Sequence, residues 1–245
     1  MKKIFTLLVI IVSLSLSAQE STTEPKSSAI DIGVDVQSRY IWRGLQLGGN
    51  SPSLQPSVEV ALGDKFAVGA WGAYSTGGTN NIQETDLYVS YAINDAFSVT
   101  ITDYFFPQEG KLNNYFEYGK PTGHVFEALV SFSGTENFPI GLTLATNFGG
   151  GIKYDDNGSE ASAYSTYIEA NYSKEIADTA YSVFAAAVFA DDNGYYLTDG
   201  SGFINLGVSA SKEVKITDSF SLPINAALIF NPDQENIYLT FGFSL

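Results

Sequence analysis

Cysteine is absent from all 245 residues, which removes disulfides, thiolate chemistry and a lipid-modified N-terminal Cys from consideration. Charged residues make up only 16%, below the quarter usual in soluble domains. Basic residues are scarcer still, 12 against 27 acidic, and that balance excludes nucleic acid, whose phosphates need Lys and Arg. Histidine occurs once. Beyond the N-terminus no apolar run approaches the roughly twenty residues of a spanning helix.

What is present begins with "MKKIFTLLVIIVSLSLSAQE". Lys2 and Lys3 form a basic region, Ile4 to Leu16 an apolar one, and Ser-Leu-Ser-Ala a small-residue exit. This pattern reads as a cleaved signal peptide over residues 1–18. Loss of the two lysines takes the formal charge from −15 to about −17. Residues 19–29 form a polar lead, and 30–245 read as one folded unit. An exported chain without a spanning helix can cross a membrane only as a closed barrel.

From Ile30 onward apolar residues recur at every second position, the period of a β-strand with one greasy face. Ile30, Ile32, Val34, Val36, Tyr40 and Trp42 share a face of the first segment; Asp31, Asp35, Gln37, Arg39 and Arg43 share the other. The rhythm continues through Phe97, Val99, Ile101 and Phe105 over Ser98, Thr100 and Thr102. Another segment carries Ile204, Leu206 and Val208, and the chain closes on Ile237, Leu239, Phe241, Phe243 and Leu245. About twelve such segments are present, an even number.

Connection length and aromatic placement point the same way. Short polar links such as "GDK" and "NDA" alternate with long ones such as "PQEGKLNNYFEYGKPTG" and "GGGIKYDDNGSEAS", as in outer-membrane barrels. Aromatics mark both ends of the apolar rows: Phe66 and Tyr74, Phe97 and Phe105, Tyr164 and Tyr172, Tyr181 and Phe189. Eight residues of tilted strand span roughly 20 Å of membrane normal, close to the apolar band between two aromatic girdles. The expected fold is all-β: a single antiparallel transmembrane β-barrel of about 12 strands, in the outer membrane and in contact with its lipids.

The stretch "SRYIWRGLQLGGNSPSLQPSVEV" soon after a signal peptide resembles the TorF-type porins and related bacterial outer-membrane barrels. The residues carrying it are Ser38, Tyr40, Trp42, Arg43 and Gly44, which the resemblance places at the opening of the first strand. The last strand is similar to the segment by which such proteins engage the barrel-assembly machinery, although this chain ends on Leu245 rather than Phe. The resemblance implies a barrel fold, an outer-membrane location and a transport role.

Candidate functional residues are those expected to face the lumen: Asp31, Asp35, Arg39, Arg43, Glu59, Glu84, Asp86, Glu127 and Glu169. Pairing Trp42 with Pro56 and Tyr40 with Val58 would set Arg39 beside Glu59, as a register-fixing charge pair or a solute-selecting constriction. Carboxylates outnumber arginines, so an open lumen would favour cationic small solutes. His124 has no second His and no nucleophile motif near it, only Glu127 three residues on. The two "DDNG" stretches, Asp155–Gly158 and Asp191–Gly194, supply only fragments of a calcium loop. No cofactor, metal or catalytic residue is expected. The function expected is passive diffusion through a porin-like channel; the alternatives are a plugged structural or surface-binding barrel and a barrel enzyme centred on His124.

Overall fold

The computed structural model describes residues 29–77, 83–107, 115–118, 123–150, 152–154, 160–191 and 194–245. The expected signal peptide and most of the expected polar lead lie outside them. The described residues form sixteen strands: β1 (Ile30–Gln37), β2 (Tyr40–Trp42), β3 (Leu45–Leu47), β4 (Ser53–Leu62), β5 (Phe66–Ser75), β6 (Gln83–Ala92), β7 (Phe97–Phe105), β8 (His124–Phe132), β9 (Gly141–Gly149), β10 (Ile152–Tyr154), β11 (Glu160–Ser162), β12 (Thr166–Ile176), β13 (Thr179–Asp191), β14 (Gly200–Lys215), β15 (Ser221–Asn231) and β16 (Asn236–Ser244). Twelve of them close into an antiparallel barrel, in which β1 neighbours both β16 and β4. The other four form two small hairpins, β2–β3 and β10–β11.

Alternation decides which side chains meet lipid. On β6, Leu87 and Val89 point outward and are exposed, while Glu84, Asp86, Tyr88 and Ser90 point inward and are buried. The same in-and-out order runs along β9 and β13. Aromatic rings meet across neighbouring strands near the short turns, Phe66 with Tyr91 at 4.7 Å and Phe97 with Phe132 at 4.8 Å. Tyr74, Phe148, Phe189 and Phe230 stand exposed toward the opposite rim. A closed barrel pairs its strands within the wall, and here it turns a continuous apolar face outward, so this wall belongs in a membrane.

Connections are short at one end. β12 and β13 are joined by Ala177 and Asp178 alone, both at positive φ, the backbone that matches strand twist in a two-residue turn. The opposite end carries the long loops and is the extracellular one.

The structure corrects two sequence expectations about the wall. The first segment does not run from Ile30 to Trp42. It leaves the wall after Gln37, and Tyr40 and Trp42 belong to the β2–β3 hairpin. Ile204 does not face lipid either. It is the extra residue of a bulge, since Ala186 pairs with Asn205 and Ala187 with Phe203. Phe203 takes the outward place and Ile204 is fully buried. One added residue flips every side chain beyond it.

Candidate functional site: an inward hairpin clamped to the lumen wall

The hairpin is built by "YIWRGLQL". Tyr40 pairs with Leu47, Ile41 with Gln46 and Trp42 with Leu45. Only Arg43 and Gly44 remain for the turn, at φ 48° and 79°. Two residues at positive φ make the mirror-image turn favoured by right-twisted strands. Gly44 has a second reason to be glycine: a Cβ there would lie 1.8 Å from the Ile204 carbonyl oxygen. The bulged backbone of β14 and the hairpin tip are thus fitted to each other.

This hairpin lies inside the barrel. Tyr40, Trp42 and Leu45 form one buried cluster with wall residues of β5, β7, β8, β9, β12, β13 and β14, among them Trp71, Tyr104, Leu129, Tyr167 and Ile204. Tyr196, from the connection between β13 and β14, lies flat on Trp42 with centroids 5.4 Å apart and planes 3° from parallel. A side chain lining a water-filled pore is solvent-accessible. At this level the residues are not, so the extracellular half of the lumen is packed.

Arg43 holds the hairpin to the wall. It is 2% exposed. Its Nη1 and Nη2 donate to the two Glu127 oxygens at 2.5 and 2.9 Å. Nη1 also reaches the Tyr196 hydroxyl at 2.6 Å. The guanidinium lies 4.6 Å from the Trp42 ring centroid and 4.5 Å from that of Tyr167. A bidentate pair combined with ring stacking is a geometry Lys could not reproduce. Nε finds no acceptor. Two further bonds fix the hairpin: Tyr40 donates to Glu84 Oε2 at 2.8 Å, and Asn231 Nδ2 to the Gly44 carbonyl at 3.1 Å.

The nine candidates therefore divide by depth. Arg43, Glu84, Asp86 and Glu127 converge at the packed level. Nearer the short turns, Asp31 pairs in register with Glu59, whose Oε2 accepts from Tyr88 at 2.9 Å. Asp35 Oδ1 accepts from Ser244 at 2.5 Å. Glu169 takes bonds from the Tyr167 hydroxyl and from Asn205 Nδ2. The expected Arg39–Glu59 pair does not form. Val58 lies opposite Ile32 and Pro56 opposite Val34, and Arg39 donates instead to Gln46 at 3.0 Å. That expectation assumed β1 continued past Gln37.

His124 sits elsewhere. It and Glu127 point to opposite faces of β8, His124 on the outward row near the long-loop rim. Its Nδ1 lies 2.7 Å from Asp103 Oδ1 and its Nε2 2.7 Å from the Tyr115 carbonyl. Phe105, Tyr115 and Tyr118 cover it. Burial, then the hydrogen bond to Asp103, pushes the Tyr115 phenol upward. With both ring nitrogens engaged, His124 fastens the loop over the outer wall. The first "DDNG" lies outside the described residues, as do Asp192 and Asn193 of the second. Among the described residues no group of three or more His, Cys, Asp or Glu is placed to hold a metal ion.

Sequence reasoning missed Trp71, Tyr104, Tyr167 and Tyr196, the aromatic lining of the clamp. An aromatic on the otherwise polar inward row of a barrel strand, as at Tyr104 after Ser98, Thr100 and Thr102, was the available signal.

Fold and wall define the class: an outer-membrane β-barrel. Solved structures with this architecture include the NanC porin, at 10% identity over 87% of this chain and 98% of that one, TM-score 0.50. The KdgM porin matches at 7% identity over 87% and 96%, TM-score 0.46. OprD of Pseudomonas aeruginosa matches at 14% identity over 89% and 66%, TM-score 0.36. At such identities the likeness is one of fold. No curated protein sequence matches the chain. The chain belongs to the family described as "Bacterial protein of unknown function (Gcw_chp)", whose model matches residues 21–224. None of these names the TorF-type barrels, so that likeness rests on Ser38 to Gly44 alone, and those residues form the base and tip of the hairpin rather than a wall strand.

Proposed function

We propose that this protein is a porin-like channel for small solutes whose extracellular half is narrowed by the tethered β2–β3 hairpin. The carrying observation is the contrast within one lumen: a packed, arginine-clamped level above, and below it an inward row of partly exposed polar residues that includes Ser57, Glu59, Thr100 and Asn171. Passage then requires the hairpin to shift, and no residue need do bond chemistry. The fixed charge below the hairpin comes from Asp31, Asp35, Glu59 and Glu169, so the solutes favoured are cations. The terminal strand β16, which closes against β1, is the segment offered to the assembly machinery.

A second reading, a barrel that never conducts and serves as a structural or surface-binding protein, is favoured by how completely Arg43 is buried. One experiment separates the two. A Cβ at Gly48 would lie 3.4 Å from that of Ser75, at the lower edge of disulfide geometry. Gly48→Cys with Ser75→Cys, in a chain that has no other Cys, locks the hairpin to β5. Planar-bilayer recordings should show openings with the reduced protein and none with the oxidised one. Silence in both states supports the non-conducting barrel, and equal currents in both overturn the hairpin's part in the channel reading.

A further inference from the structure

The packed level holds more negative charge than its partners neutralise. Arg43 answers Glu127. Glu84 and Asp86 remain, 2% and 3% exposed, two positions apart on the inward row of β6 and so about 7 Å apart at the backbone. Glu84 takes one hydrogen bond from Tyr40. Asp86 takes one from the Phe105 backbone, and its Oδ1 is buried with no partner. Trp71 and Tyr104 stand opposite Asp86 on the two neighbouring strands, and among the described residues no cation is bonded to either acid, Arg43 being engaged by Glu127.

A second orphan points to the same place. Gln55 is 2% exposed and its Oε1 has no partner. Leu54 pairs with Tyr74 and Ser57 with Trp71, so this register sets Gln55 across from Ala73, which pairs with Glu84. Gln55, Ala73 and Glu84 thus stand side by side on three neighbouring strands, and the Gln55 amide nitrogen donates to Ser53 Oγ at 3.5 Å. Two carboxylates with a single donor each and an amide oxygen with none are buried together, and leaving them so is costly.

We propose that Glu84, Asp86 and Gln55 form a site for one divalent hard cation beneath the hairpin, of which calcium is the best match. The ligands are all oxygen, and a charge of +2 balances the two acids. Calcium accepts irregular coordination, whereas magnesium demands a near-ideal octahedron and keeps several waters. The site has two carboxylates and an amide, fewer acids than a three-carboxylate cluster. Because Glu84 also accepts from Tyr40, an occupied site would steady the hairpin.

The inference does not depend on conduction, and its test uses no current. The full chain, refolded in detergent micelles and stripped with a chelator, is titrated calorimetrically with calcium chloride near neutral pH in dilute sodium chloride. One saturable site per chain is expected, with a higher melting temperature when it is filled. Glu84→Gln with Asp86→Asn should abolish the site, and the stripped variant should melt above the stripped parent. Asp31→Asn with Glu59→Gln, two acids removed at the other end of the lumen, should leave binding intact. Should the double variant fail to refold, Asp86→Asn alone replaces it, with affinity at least about tenfold weaker. Absence of saturable binding, as when the two acids share a proton instead, overturns the proposal; so does binding that survives loss of both acids.

Discussion

Replacing Arg43 by Met should free the hairpin while leaving the barrel wall intact. The substitution keeps a long apolar stem between Trp42 and Tyr167 but removes three donated hydrogen bonds. It also leaves Glu127 buried without its partner. Breaking a buried pair from one side costs about 3–5 kcal/mol, and the two ring contacts add about 0.5–2 kcal/mol each. The wall does not use these bonds, since its ladders close independently. The loss therefore falls on hairpin docking. At about 1.4 kcal/mol per factor of ten, the undocked population should rise about 100- to 1,000-fold or more. Leu45→Cys supplies the probe: Leu45 is 3% exposed on the hairpin, and the chain has no native Cys. Its reaction with a water-soluble maleimide tracks the undocked fraction when docking is fast. The labelling rate with Arg43→Met, divided by that without it, cancels the cost of the probe itself. The heat-modifiable mobility of the folded barrel should be unchanged. Adding Glu127→Leu should return labelling toward the parent rate, because the stranded charge is gone. An unchanged rate in Arg43→Met would refute the clamp.

Three further outcomes are expected. Val99→Arg or Leu142→Arg, on the lipid-facing row, should cost about 2–4 kcal/mol in vesicle refolding midpoints. Thr100→Arg and Thr143→Arg, on the inward row, should cost less, and equal penalties would show the faces to be misassigned. Gly44→Ala should raise Leu45→Cys labelling as Arg43→Met does, because its methyl collides with the Ile204 carbonyl; parent-like labelling would mean that the tip is not held against β14. Under a dilute salt gradient the reversal potential should report cation preference, fading at high salt where the screening length is about 3 Å. A preference for anions would contradict the charge map of the lower lumen.

The wall was legible because lipid and lumen impose opposite demands at every second residue. Phe97 to Phe105 shows this plainly, with Val99 and Ile101 out and Thr100 in. The hairpin was not legible, and the reason is physical. The hairpin face that meets the packed lumen is apolar, so Tyr40 and Trp42 prolong the rhythm of Ile32, Val34 and Val36 without a break in parity. Three signs were available: Ile41 is greasy at a position where the pattern wants polarity, a strand from Ile30 to Trp42 would be longer than its neighbours, and Arg-Gly fits a two-residue turn. The charged candidates could be assigned to the inner wall by parity, but their grouping required the fold. Glu127 meets Arg43 across 84 positions of chain, and periodicity carries no information about such a distance.

The place where β1 leaves the wall has a mechanical consequence. Its register with β16 covers Asp35, Val36 and Gln37, and below these Val34 and Leu245 exchange two backbone bonds at 3.0 Å. Above these, Ser38 makes the last stitch, its amide donating to the Phe241 carbonyl at 2.8 Å and its hydroxyl accepting from the Phe241 amide at 3.0 Å. Ile237 and Leu239 carry their backbone amides toward the same edge, since they share the parity of Phe241, and among the described residues no strand meets them there. Ser38 is thus both the pivot on which the hairpin would swing and the top tooth of the zip that makes the sheet a cylinder. A pull on one is a load on the other, so a swing large enough to clear the lumen would be felt first as a parting of the wall at Phe241.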